Sequence, residues 1–233
     1  MEIPPNFYYM MTPFLIITTY FSAYKNGKVT CDKFLTNSFL YLITSFSIYL
    51  TSYQYTKENM NLSDNTMLFL SVAAFVPFIL FMFTDNVALK HLLWTAFLIM
   101  TGAAAVVILR RYDAEMIQDI FKKLMVILVI CAVFAVSFPQ YIKPSMGTAL
   151  FVGLLFVILF RLIDMFFYNN QYDNIISSIA VFIFSGFVVY DTDRIIKQGK
   201  ECAKTGNANY LDNMVDMFLN IINLFFSLAG MED

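Results

Sequence analysis

Charge is what this chain lacks most. Asp, Glu, Lys and Arg make up 14% of its 233 residues, while 59% are hydrophobic. A soluble domain averages about 25% charged and about 45–50% apolar residues. One core cannot hide so much apolar surface, so lipid must cover it. The fold class that follows is all-α, a polytopic transmembrane helical bundle. Basic runs are missing too, and the net charge of -2 excludes a nucleic-acid footprint. Histidine is nearly absent. His91 stands alone beside Lys90 at the edge of an apolar run, which reads as a helix-end residue rather than a metal ligand. The three cysteines, Cys31, Cys131 and Cys202, are far apart and form no CxxC pair. There is no GxSxG, no HExxH and no phosphate loop, and one histidine beside no catalytic motif supports no Ser/His/Asp set. Neither an enzyme nor a cofactor is expected.

What is there is hydrocarbon-compatible sequence in charge-free runs, each near the length of about 20 residues that a span needs. They lie between Glu2 and Lys25, Lys33 and Lys57, Asp64 and Asp85, Lys90 and Arg110, and Lys123 and Lys143. Three more run from Ser145 to Tyr168, Asn174 to Ile196 and Tyr210 to Ala229. The first is weakened by Pro4, Pro5 and Pro13. A signal peptide competes with it, but no basic region precedes the apolar run. The last is semi-polar, carrying Asp212, Asp216, Asn220 and Asn223, so it either spans or enters and leaves on one face. No linker or repeat divides the chain. Gly102-Ala103-Ala104-Ala105, Gly147 and Gly153 supply small residues where helices can approach closely, although such residues are also ordinary membrane-helix composition.

Loop lysines and arginines set orientation. Their bias places a polar hairpin over residues 197–209, with Lys197, Lys200 and Lys204, in the cytosol, against the dissent of the Arg110–Lys123 stretch. The triplet Asn61-Leu62-Ser63 is a glycosylation sequon on the opposite side.

The stretch from Phe184 to Leu228 carries the candidate chemistry. Asp191 and Asp216 are acids in apolar helices, expensive there and therefore functional candidates. Asp191 lies roughly 10 Å from a helix end near Gln198, and Asp216 roughly 9 Å into the final segment, with Asn220 one turn further. Two carboxylates at similar depth on antiparallel neighbours would share a proton, closing on gaining it and opening on losing it. The competing reading has Asp191 reaching the interface or pairing with Arg194 at i+3. Asp193 points elsewhere and reads as structural. Arg161 and Asp164 stand at i,i+3 in the sixth segment and read as an intramembrane ion pair.

FSGFVVYDTDRII, with Tyr190-Asp191-Thr192, resembles the sixth-helix signature of the transmembrane Bax inhibitor motif family, including its lifeguard and Golgi anti-apoptotic branches. FLNIINLFFSL resembles the family's closing Leu-Asp-Ile-Ile-Asn-Leu-Phe, matched by Leu219-Asn220-Ile221-Ile222-Asn223-Leu224-Phe225. The resemblance is specific from Thr148 onward and rests earlier on segment order. It implies a seven-helix core over residues 31–233, preceded here by an extra N-terminal transmembrane segment in residues 1–30. It implies residence in endoplasmic reticulum, Golgi or plasma membrane, a calcium leak, and suppression of cell death. The resemblance puts an ion gate and pH sensor at Asp191 and the Asn220 position, and the depth of Asp216 adds it to that gate, supported by Tyr190, Thr192, Arg194 and Asn223, with Ca2+ passing near Asp191.

Two departures stand out. Asn220 replaces the last-helix acid, and Met100 stands where the family carries a glutamate. A cation path is thus short of two charges unless Asp216 takes over. Lost acids and an added helix fit a divergent member, such as a virus-encoded one acting on its host. The expected partners are the lipid bilayer, Ca2+ and membrane proteins of apoptosis. A non-conducting adaptor that binds other membrane proteins is the alternative.

Overall fold

A computed structural model describes residues 6–232 apart from 27, 62 and 169. The structure is helical, with α1 Asn6–Ala23, α2 Phe34–Asn59, α3 Asp64–Ala73, α4 Phe75–Met82 and α5 Val87–Leu109. α6 Ala114–Ser137, α7 Pro144–Ile163, α8 Asp173–Thr205 and α9 Tyr210–Ala229 follow. Six of these elements are long and apolar enough to cross a membrane: α2, α5, α6, α7 with its extension to Tyr168, α8 and α9. The protein is a multi-pass helical membrane protein. Two compact units divide it, one of residues 1–113 with 208–211, the other of residues 114–207 with 212–233.

In the first unit, α2 runs 26 residues, about 39 Å at 1.5 Å per residue and longer than the roughly 30 Å apolar layer. α1 lies along it, held by side-chain hydroxyls. Thr12 Oγ1 stands 2.5 Å from Ser47 Oγ and 2.7 Å from Thr51 Oγ1, and Thr19 Oγ1 stands 2.7 Å from Thr44 Oγ1. Ser22 Oγ donates to Asn37 Oδ1 at 2.5 Å. These polar groups would be costly against lipid, so pairing them fixes the two helices side by side. α1 is helical despite Pro13 but is not among the six long apolar helices. A short β-hairpin, β1 Tyr24–Lys25 and β2 Lys28–Val29, links α1 toward α2, pairing Tyr24 with Val29.

The third apolar run does not form one helix. It breaks at Ala74 into α3 and α4. Pro77 explains the break, because it has no N–H to give the Ala73 carbonyl and its ring crowds that turn. Leu62, the middle of the sequon, lies outside the described residues; Ser63 caps α3 by accepting from the Thr66 N–H. α5 presses on α2 at Gly102, where a Cβ would strike the Tyr49 carbonyl oxygen, and Ser52 donates to the Ile99 carbonyl at 2.7 Å. Ala103, Ala104 and Ala105 are buried there. His91 sits one turn into α5, stacked on Tyr41 with its Nε2 3.3 Å from the Tyr24 hydroxyl.

The second unit is built around α8, 33 residues long. Helices pack on it at small residues: Gly147 of α7 lies under the Tyr190 ring, and Gly153 faces Ile183. The expected polar hairpin over 197–209 is a correction. Residues 197–205 continue α8, and the turn begins at Gly206, whose φ of 70° closes the helix with its N–H on the Cys202 carbonyl at 2.8 Å. Charge alone did not end the helix, because Lys197, Lys200 and Lys204 are good helix formers with exposed heads.

The Arg161–Asp164 pair is likewise corrected. Asp164 heads a π-helical turn, Asp164–Tyr168, and its carboxylate goes forward past that turn rather than back to Arg161. Asp164 is buried and accepts the Tyr172 N–H with both oxygens at 3.1 Å. Arg161 instead reaches Asp173 at 3.5 Å and donates to Ser177 Oγ at 2.9 Å.

Candidate functional site

α8 and α9 run antiparallel and face each other through polar side chains. On α8, Asp191 and Arg194 stand at i,i+3, and on α9, Asp216 and Asn220 stand at i,i+4. Asp191 is 3% exposed, so it faces into the unit. Asn220 Nδ2 donates to Asp191 Oδ2 at 2.6 Å. Arg194 Nη2 lies 3.2 Å from Asp191 Oδ1 and 2.6 Å from Asp216 Oδ2. The two acids therefore converge, but one nitrogen of a guanidinium stands between them.

That geometry corrects the shared-proton pair. A carboxylate dyad shares a proton because nothing else offsets its charge. Here Arg194 supplies the offset, and Asp216 is half exposed, so water supplies more. Asp191 also lies further from the end of its helix than expected. α8 continues to Thr205, which puts Asp191 about 21 Å from its end, while Asp216 stays about 9 Å into α9. The acids meet at one level because α8 overshoots the start of α9 by about 12 Å.

A cavity of about 590 Å³ opens beside this cluster. Asp191, Arg194, Asp216 and Asn220 line it, together with Tyr190 and Asn223. Asn223 spends its Nδ2 on the Leu219 carbonyl at 2.8 Å, leaving its oxygen for other partners. Thr192 is not in the wall: its hydroxyl donates to the Val188 carbonyl at 2.7 Å within α8. Asp193 is buried and takes Lys197 Nζ at 2.5 Å.

The charges of Asp191, Asp216 and Arg194 sum to -1. That suits a cation weakly. Ca2+ takes six to eight oxygens, and this wall offers two carboxylates and the amide oxygens of Asn220 and Asn223. Among the described residues no three His, Cys, Asp or Glu side chains converge as a metal site.

Two more residues belong to this face, and the sequence reading did not single them out. Gln198 continues the Asp191, Arg194 spacing at i+7, and Asn213 precedes Asp216 by three. The shared helical periodicity was the signal that could have found them.

The matched family model, described as Inhibitor of apoptosis-promoting Bax1, covers residues 31–231. An uncharacterized membrane protein of Vibrio cholerae is 41% identical over 85 residues, 36% of this chain and 35% of that protein. Protein LIFEGUARD 1 of Arabidopsis thaliana is 31% identical over 86 residues, 36% of this chain and 34% of that protein. The Golgi anti-apoptotic protein of vaccinia virus is 31% identical over 84 residues, 36% of this chain and 33% of that protein. The chain spans about a third of the length of the curated relatives it matches. With the family model covering most of its length, this chain belongs to the transmembrane Bax inhibitor motif family.

Proposed function

We propose that this protein inhibits apoptosis by lowering the calcium content of an intracellular store through a pH-sensitive leak. Family membership and the names of the vaccinia and lifeguard relatives support the first half. The observation that carries the second is the buried Asp191 carboxylate on the wall of a cavity it shares with Asp216. An acid kept inward at that depth serves a path or a switch. The role is not enzymatic. Endoplasmic reticulum or Golgi membrane is the proposed location, with the turn after α8 in the cytosol.

The pH sense follows from charge. With both acids ionised, the site carries -1 and tolerates a cation. One proton brings it to zero, and two bring it to +1 while Arg194 keeps its charge, so acid closes the path. Calcium flux into proteoliposomes of the purified protein tests this. A flat trace at every pH, in protein that still protects cells, removes the leak.

Arg194 and Asn220 also favour a second reading, a non-conducting adaptor that suppresses death by binding other membrane proteins. A tethered cation already occupies the place a permeant ion would take.

A further inference from the structure

The polar face between α8 and α9 has three layers, and among the described residues no hydrogen bond joins the two helices in the third. Asp191, Arg194 and Gln198 follow i, i+3, i+7 on α8. Asn220, Asp216 and Asn213 follow i, i-4, i-7 on α9. The first layer joins Asp191 to Asn220, and the second joins Arg194 to Asp216. The same antiparallel register sets Gln198 opposite Asn213. Three buried polar atoms of these side chains have no protein hydrogen-bond partner among the described residues: Arg194 Nε, Gln198 Oε1 and Asn213 Nδ2. Asn213 is 5% exposed.

Buried polar atoms left unmade each cost about 1–3 kcal/mol, so a cluster of them on one face calls for a ligand. Two N–H donors and one carbonyl acceptor match a water molecule, which accepts from the first two and donates to the third. An anion would meet the Asp216 carboxylate beside Arg194. A bare cation would meet two N–H groups.

We infer that Gln198 and Asn213, with Arg194 Nε, hold ordered water, extending the Asp191 cavity past Arg194 toward the C-terminal end of α8. Arg194 is then the partition between two wet compartments, touching acids with Nη2 and water with Nε. This deepens the leak reading, giving the same site an inner, hydrated half, and it rests on that reading for its part in flux.

Thiol accessibility tests the inference apart from conduction. Gln198→Cys, Asn213→Cys and, as a buried control on another face of α8, Val189→Cys are placed in proteoliposomes. Each is treated with a charged methanethiosulfonate, and labelling beyond that of the unmutated protein is followed. A hydrated layer exposes thiols, so positions 198 and 213 are expected to react about tenfold faster than 189. Equal, slow labelling at all three overturns the inference, even where calcium flux is measured. Fast labelling without flux supports the wet layer and removes the leak instead. The double variant Gln198→Leu/Asn213→Leu gives a second readout. A wet layer loses its water contacts and the melting temperature falls. A dry layer sheds unsatisfied groups, and a rise overturns the inference.

Discussion

Asn220 Nδ2 donates to Asp191 Oδ2 at 2.6 Å, so the residue opposite the buried acid gives a hydrogen where the family signature would supply a second carboxylate. An amide gives the Asp191 carboxylate a hydrogen-bond donor. A carboxylate would repel it or share a proton with it. The Asn220→Asp variant should recreate such a pair. Its folded state should be weaker at high pH, where three acids face one guanidinium, and recover as acid adds a proton. Thermal unfolding in detergent across pH checks this; a melting curve unshifted from the parent at every pH would rule out direct contact between positions 191 and 220.

Arg194 is the only charge between Asp191 and Asp216 that the described contacts supply. Arg194→Gln should lower stability, because it strands a buried carboxylate. Breaking a fully buried pair costs about 3–5 kcal/mol. Arg194 is about a third exposed and Asp216 half exposed, so the loss should fall well below that range. The same change takes the site from -1 to -2, and flux should rise. Loss of flux together with unchanged melting would mean that Arg194 does not act as a plug.

Asp191→Asn should abolish the pH dependence of calcium flux, and Asp216→Asn should weaken it. Either change takes the site from -1 to zero at neutral pH, so each should also lower flux there. A pH profile in Asp191→Asn that matches the parent would mean the switch lies elsewhere.

Gly102→Leu should be among the most damaging changes in the first unit. The added Cβ meets a backbone carbonyl, at Tyr49, which cannot swing aside as a side chain can. Overpacking of this kind costs about 1–3 kcal/mol or more. Yield and melting temperature in detergent report it, with Ala103→Leu as a milder neighbour for comparison.

Thr12→Val and Thr19→Val should each cost little, about 0.6 kcal/mol for a hydrogen bond between membrane helices. Combined with Ser22→Ala they should loosen α1 from α2, and protease cutting near residue 25 should quicken. Unchanged cutting in the triple variant would show that apolar contact alone holds α1.

Much of this protein was legible in one dimension. Hydrophobic length between charges marked the helices, because lipid tolerates neither charge nor unpaired backbone, and the Tyr190-Asp191-Thr192 signature located the acid that faces inward. Local chemistry that overrides hydropathy was less visible. Pro77 split a run that composition reads as continuous, and the lysines after Ile196 prolonged a helix that their charge suggests should stop.

The sequence alone determined that the chain lives in a bilayer, which family it joins and where its rare acids sit, since all of these depend on residue type and spacing along one helix. Only the tertiary structure decided what those acids touch. Whether Asp191 meets a proton, an amide or a guanidinium depends on the register between α8 and α9. That register is set by packing across the interface, which no spacing within either helix encodes.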